Sequence, residues 1–240
     1  MLSIEPIKTG SDGNLYILKS NDVYYLIECG IDKRTLLKTL YNKGLFLYNF
    51  KGCFVSHKHS DHIESIKVVN EFMPIYSNRQ VIEDKNINGV ILKPQTKYMF
   101  DGELSVMAFN VEHGNAENYA YMFGNNNDKI LFATDFYKFD VNLKNIEFTE
   151  LYIECNWTKD LIEKALQDDD ENKTKYERQY NTHLSFDLLK VILNESLNLS
   201  NCKKITLIHP SKEVCDKELV LNELKSLYPN IIIEFAINQI

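Results

Sequence analysis

The sequence has no Cys-x-x-Cys pair, no low-complexity tract, no basic stripe, and no uninterrupted apolar run near the roughly 18 residues of a membrane helix. Each absence narrows the field. The five cysteines, Cys29, Cys53, Cys155, Cys202 and Cys215, are odd in number, and without paired spacing they read as reduced, mostly buried thiols. The first six residues form neither a basic n-region nor an apolar h-region, so the expected location is cytoplasmic, with no membrane partner. A formal net charge of −7 and a pI of about 5.4 disfavour an extended polyanion as partner, although basic side chains can still converge in three dimensions.

What is present points to one chemistry. With 44% hydrophobic residues in 240, the chain can bury a sizeable core, and its length fits a single α/β domain over 1–240. The stretch Phe54-Val55-Ser56-His57-Lys58-His59-Ser60-Asp61-His62 holds three of the six histidines together with an aspartate. At the end of an extended chain, His57 and His59 fall on one side because side chains alternate with period two. Asp61 and His62 then turn a second set toward the same place. Imidazole and carboxylate suit zinc, manganese or iron where no thiolate is offered. A polar loop with histidines scattered by chance is the competing reading; the clustering argues for a metal site.

Along the chain, alternation and turn residues predict strands at 2–8, 15–19, 23–29, 51–56, 73–76, 119–124, 129–133, 151–153, 205–208 and 231–235. A strand pair or bend is expected about Asp101-Gly102. Helices are predicted at 32–42 behind an Asp32 cap, 63–72, 78–84, 157–166, from Thr182-His183 to 197, and 217–227. The pattern matters more than the boundaries. Strand after strand ends in a histidine or an acid: His57, His113, Asp135, Glu154, His209. In layered α/β folds, loops at one edge of a sheet are where ligands collect.

The run His57-x-His59-x-Asp61-His62 resembles the HxHxDH signature of the metallo-β-lactamase superfamily, and His113, Asp135 and His209 follow in that family's order. The resemblance implies a four-layer αββα sandwich with two divalent metal ions, zinc or manganese. His57, His59 and His113 would hold one ion, Asp61, His62 and His209 the other, and Asp135 would bridge them. Within the superfamily the chain looks most like the YycJ-like, nuclease-type group. Gly10-Ser11-Asp12-Gly13-Asn14 resembles its glycine-rich turn, Glu154-Cys155-Asn156 its ESN segment, and His183-Leu184-Ser185 and His209-Pro210-Ser211 its HLS-like segments. Cleavage of a phosphodiester by metal-bound hydroxide is the implied reaction, with His183 as general acid, Glu154 orienting it and Asp61 among the catalytic groups. A nucleotide or nucleic acid is the implied partner, and a homodimer is a family-level expectation only.

Other readings stand beside these. His183 also fits ordinary capping at a helix N-terminus, and Glu154 a surface acid after a buried strand. Glu28 occupies a place where the family usually has aspartate, which puts the histidine positions in question. Trp157 stands where some relatives carry histidine and offers a stacking surface. The charged stretch 167–180, including Asp168, Asp169, Asp170, Glu171, Lys173, Lys175 and Arg178, reads either as a lid or dimer contact or as a solvated helix. Arg178 and Asn156 are candidate substrate contacts, since a guanidinium matches phosphate oxygens. Alternatives to a DNA exonuclease are a cyclic-nucleotide phosphodiesterase and a hydrolase of carboxyl esters, thioesters or lactones.

Overall fold

A computed structural model describes residues 1–168 and 171–240. They form two compact units, one of Met1–Asn110, Ala116–Asp128 and Ile237–Ile240, the other of Val111–Asn115 and Lys129–Ala236.

In the first unit, β1 (Leu2–Lys8), β2 (Leu15–Ser20) and β3 (Val23–Ile27) pair antiparallel, and β4 (Phe50–Phe54), β5 (Ile75–Ser77) and β6 (Gly89–Ile91) extend the sheet in parallel. The order is β1-β2-β3-β4-β5-β6. Helix α1 (Lys33–Asn42) starts where the Asp32 carboxylate accepts from the Thr35 N–H at 3.0 Å, and it buries Leu36 and Leu40. Two short helices follow β4, α2 (Ser60–Ile63) and α3 (Ile66–Asn70), then α4 (Arg79–Lys85) behind an Asn78 cap. β7 (Tyr98–Met99) pairs antiparallel with β8 (Ser105–His113), whose last residues carry the chain into the second unit, and β9 (Ala116–Gly124) returns to the first. Phe54, the last residue of β4, has the rings of Tyr25, Tyr76, Phe100, Tyr121 and Phe123 at centroid distances of 5.2–5.8 Å. This largely buried aromatic cluster anchors the strand that leads into His57.

In the second unit, β10 (Lys129–Ala133), β12 (Glu150–Glu154), β14 (Lys204–Ile208) and β15 (Ile232–Phe235) are neighbours in a parallel array, while β11 (Leu143–Glu147) pairs with β13 (Leu197–Asn198). Strands β10, β12 and β14 are almost wholly buried, which explains their largely apolar sequences. Helices α5 (Lys159–Asp168), α6 (Lys173–Thr182), α7 (Phe186–Glu195) and α8 (Lys217–Leu227) complete it. Since the strands run one way, their C-terminal ends share an edge, and Asp135, Glu154 and His209 arrive there together.

The structure departs from the sequence expectation in three places. The helix expected at 63–72 is broken into α2 and α3 because its backbone is bonded elsewhere. The His62 carbonyl accepts from the Cys29 N–H at 2.8 Å, and the Ser65 N–H and hydroxyl go to the Cys29 and Ile31 carbonyls. His183 lies between two helices rather than opening one: α6 ends at Thr182, His183 is extended at φ −123°, and Ser185 caps α7 through the Leu188 N–H. The short strands β6, β11 and β13 are additional. The charged stretch 167–180 forms the end of α5 and most of α6; Asp169 and Asp170 lie outside the described residues. All five cysteines are free thiols, four of them buried, and no described helix is long and apolar enough to cross a membrane.

Candidate metal centre

The residues of the sequence motif sit in the first unit just past β4. Why the strand stops there is visible in its carbonyls. Val55 O accepts from the hydroxyls of Ser77 and Tyr121, both at 2.7 Å, and Ser56 O accepts from Asn78 Nδ2 at 2.8 Å and the Tyr119 N–H at 3.1 Å. With those groups pinned, His57 and His59 turn together, and His57 Nε2 lies 2.9 Å from His59 Nδ1. The glycine-rich turn at 10–14 clasps the other half of the motif. The Asn14 N–H donates to Asp61 O at 2.8 Å, and its side-chain amide lies 3.1 Å from His62 Nε2 and 3.5 Å from Asp61 Oδ2. Gly30 lets this clasp close, for a Cβ there would lie 1.6 Å from Asp61 O.

In the second unit His113, at the end of β8, places Nδ1 2.8 Å from Thr182 O and Nε2 3.9 Å from Asp135 Oδ2. His209 Nε2 is 3.6 Å from Asp135 Oδ1. Asp135, Glu154, His183 and His209 are all buried and each turns a ligand-type atom to one spot, with these atoms within 4.8 Å of one another. Asp135 and His209 both adopt left-handed backbone, at φ 52°, as does Glu28 in the first unit at φ 59°. Non-glycine residues hold that conformation at a cost when the surroundings demand it, and such residues gather at functional sites.

The imidazoles are oriented as metal ligands are. An imidazole held at Nδ1 by an oxygen presents Nε2 to an ion. His57 Nδ1 is 2.9 Å from Ser56 Oγ and His113 Nδ1 2.8 Å from the Thr182 carbonyl, while Glu28 Oε2 and Glu154 Oε1 lie beside His62 Nδ1 and His209 Nδ1 at 3.4 Å, near enough for charge but without a hydrogen bond. Burial holds the His113 imidazole below its usual value, in the neutral form that ligates. Glu28, despite the extra methylene relative to aspartate, reaches both the Ser56 N–H at 3.1 Å and His62. The donor set and its outer partners therefore fit divalent metal ions.

His183 is held differently. Its Nδ1 lies 2.7 Å from Glu154 Oε1, and its ring stacks on His209 at 5.3 Å and 7°. Glu154 is fully buried; its other oxygen accepts from the Phe136 N–H at 2.9 Å. Burial pushes this carboxyl up, but His183 and His209 beside it together outweigh burial and keep it below the usual carboxylate range. The sole nitrogen this leaves for outside chemistry is His183 Nε2, for which no partner occurs among the described residues.

Asn156 is buried and engaged. Its Nδ2 meets His209 Nδ1 at 3.2 Å and donates to the His209 carbonyl at 2.9 Å, while Oδ1 accepts from Gln179 Nε2 at 3.0 Å. It holds His209 in place. Arg178 is not brought into the cluster: α6 turns it opposite the face that carries Tyr176, Gln179 and Tyr180, and it is exposed. Sequence reasoning missed Gln179 and the Thr182 carbonyl. The only signal for Gln179 is its position four residues before His183, one helical turn away.

No family model matches the chain. It is 28% identical over 144 residues to exodeoxyribonuclease YycJ of Bacillus anthracis, covering 56% of this chain and 54% of that protein, so it spans about half the length of this curated relative. Among solved structures it is similar to the metallo-β-lactamase fold protein YhfI from Bacillus subtilis, with a TM-score of 0.73 and 16% identity over 99% of this chain and 96% of that one. It is also similar to the short form of human tRNase Z, with a TM-score of 0.64 and 13% identity over 99% and 97%.

Proposed function

We propose that this chain, which has the metallo-β-lactamase fold and is similar to a YycJ exodeoxyribonuclease, is a metal-dependent hydrolase of phosphodiesters. The ligand order implies that His57, His59 and His113 serve one ion, Asp61, His62 and His209 a second, with Asp135 shared. Bound there, divalent ions supply Lewis acidity and lower the pKa of water.

The observation that carries the phosphodiesterase reading is the Glu154–His183 pair. Glu154 accepts a hydrogen bond from His183 Nδ1–H at 2.7 Å, so His183 Nε2 is the nitrogen that gives a proton to a departing alkoxide. An alkoxide leaves a phosphodiester poorly without that proton, whereas acyl transfer from a thioester or lactone has less need of it. Asn156 and Thr182 keep His209 and His113 in register while this happens. The net charge of −7 favours a short oligonucleotide or cyclic nucleotide over a long duplex, while the likeness to YycJ favours DNA. In this reading the protein acts in the cytoplasm.

The test is a substrate panel on metal-loaded protein: bis-p-nitrophenyl phosphate, cyclic mononucleotides, single-stranded and duplex DNA, RNA, and a thioester. Turnover of phosphodiesters is expected, with His183→Ala slowing alkoxide-leaving substrates by about 10²- to 10⁴-fold. The loss should be far smaller for p-nitrophenolate, which departs without a proton. Full esterase activity in His183→Ala, with no phosphodiester turnover by the unaltered protein, would sink the proposal.

A further inference from the structure

The second unit carries an aromatic pair that catalysis as proposed does not use. The rings of Trp157 and Tyr180 stack with centroids 5.1 Å apart and planes at 23°. Trp157 is buried, and its indole N–H donates to the His183 carbonyl at 3.1 Å. Tyr180 covers it and is itself 48% exposed. The expected stacking surface of Trp157 is thus taken by Tyr180, and the ring open to solvent is Tyr180.

Both sides of Tyr180 are tied to the site. Gln179 donates to Asn156, which holds His209, and the Thr182 carbonyl holds His113. Next to it, Gln179 Oε1 is buried and accepts no hydrogen bond among the described residues. The exposed neighbours on α6, Glu177, Arg178 and Asn181, are polar. A single pre-ordered ring in polar surroundings suits one flat polar-edged group rather than an apolar protein surface.

We infer that Tyr180 is the base-stacking residue of the site: its open face receives the nucleobase of a nucleotide substrate. The inference rests on the phosphodiesterase reading and deepens it, assigning the substrate class as nucleotides. Stacking is tolerant of base identity, because every base has a π-face.

The chain has one tryptophan, so Trp157 emission reports directly on the stack. Metal-loaded protein is titrated with AMP and with ribose 5-phosphate, which lacks the base; affinity is read by Trp157 emission and by calorimetry. AMP should bind about 5- to 100-fold more tightly than ribose 5-phosphate, in line with base–aromatic stacking elsewhere. Tyr180→Ala should abolish that difference, and Tyr180→Phe should keep it. On a dinucleotide, Tyr180→Ala should raise KM and leave kcat nearly unchanged. Equal affinity for the two ligands in the unaltered protein, or an AMP affinity untouched by Tyr180→Ala, overturns the inference. Either result is independent of bis-p-nitrophenyl phosphate turnover, whose absence would instead count against the phosphodiesterase reading.

Discussion

At the scale of single residues, the site is built from outer partners as much as from ligands. Glu28 shows this most plainly. Its buried carboxylate accepts from the Ser56 N–H and places its other oxygen 3.4 Å from His62 Nδ1, beside the second half of the motif. Replacing Glu28 by alanine should weaken zinc affinity about 10- to 100-fold, measured by competition with a chromogenic chelator. An unchanged affinity would reduce Glu28 to a packing role. The thiols make a second residue-scale prediction. Hydrogen bonding to Cys215 and burial push the Cys155 thiol well up, burial does the same to Cys53, and it lifts Cys202 to about 11. Native protein at pH 8 should therefore take up iodoacetamide first at the partly exposed Cys215, as peptide mapping would show. Early modification of Cys53 would contradict the packing described.

At the scale of elements, strand ends and one glycine decide the geometry. Gly30 is the point where the loop after β3 passes against Asp61; a Cβ would lie 1.6 Å from Asp61 O and 2.5 Å from the His62 N–H nitrogen. The neighbours at that point are backbone and cannot swing aside. Gly30→Ala should cost about 3 kcal/mol or more in urea unfolding and lower metal content as well. A stable variant with full metal content would show that the motif loop yields. Helix α6 is the other decisive element. Its charged sequence reads equally as a lid or as a solvated helix; the structure shows an exposed helix that turns Tyr176 inward, ties Lys175 to Glu213, and sends Gln179 to Asn156.

At the scale of the whole molecule, bound metal and net charge set the measurable behaviour. Ions that bind only the folded chain add stability by mass action, about 4 kcal/mol at a thousandfold excess over Kd. Removing them with EDTA should lower Tm by several degrees and abolish turnover, and restored metal should approach two ions per chain by elemental analysis. One ion at saturation would rule out the dinuclear assignment. With a net charge of −7, binding to oligonucleotides should depend only weakly on salt. Each phosphate neutralised on single strands contributes a slope of about −0.7 in log K against log salt. A slope near that of one or two phosphates is expected, and a much steeper one would reveal a basic track.

The sequence alone made the fold family and a cluster of histidine and aspartate donors legible, because His57-x-His59-x-Asp61-His62 is local and its spacing survives any boundary error. Periodicity likewise marked strand β1 and helix α8 to within their ends, since burial of one face imposes a period that neighbours do not alter, and a continuous apolar run marked β10. Other features depended on contacts between distant residues. The break between α2 and α3 arises from backbone bonds to Cys29 and Ile31, and no local propensity records them. The place of His183 between two helices, its pairing with Glu154 across 29 positions, and the Gln179–Asn156–His209 chain exist only once the parallel strands bring their ends together. Arg178 and Gln179 are adjacent and equally polar in sequence; the helical rotation of about 100° per residue, set by burial of Tyr176, sends one to solvent and the other to the site.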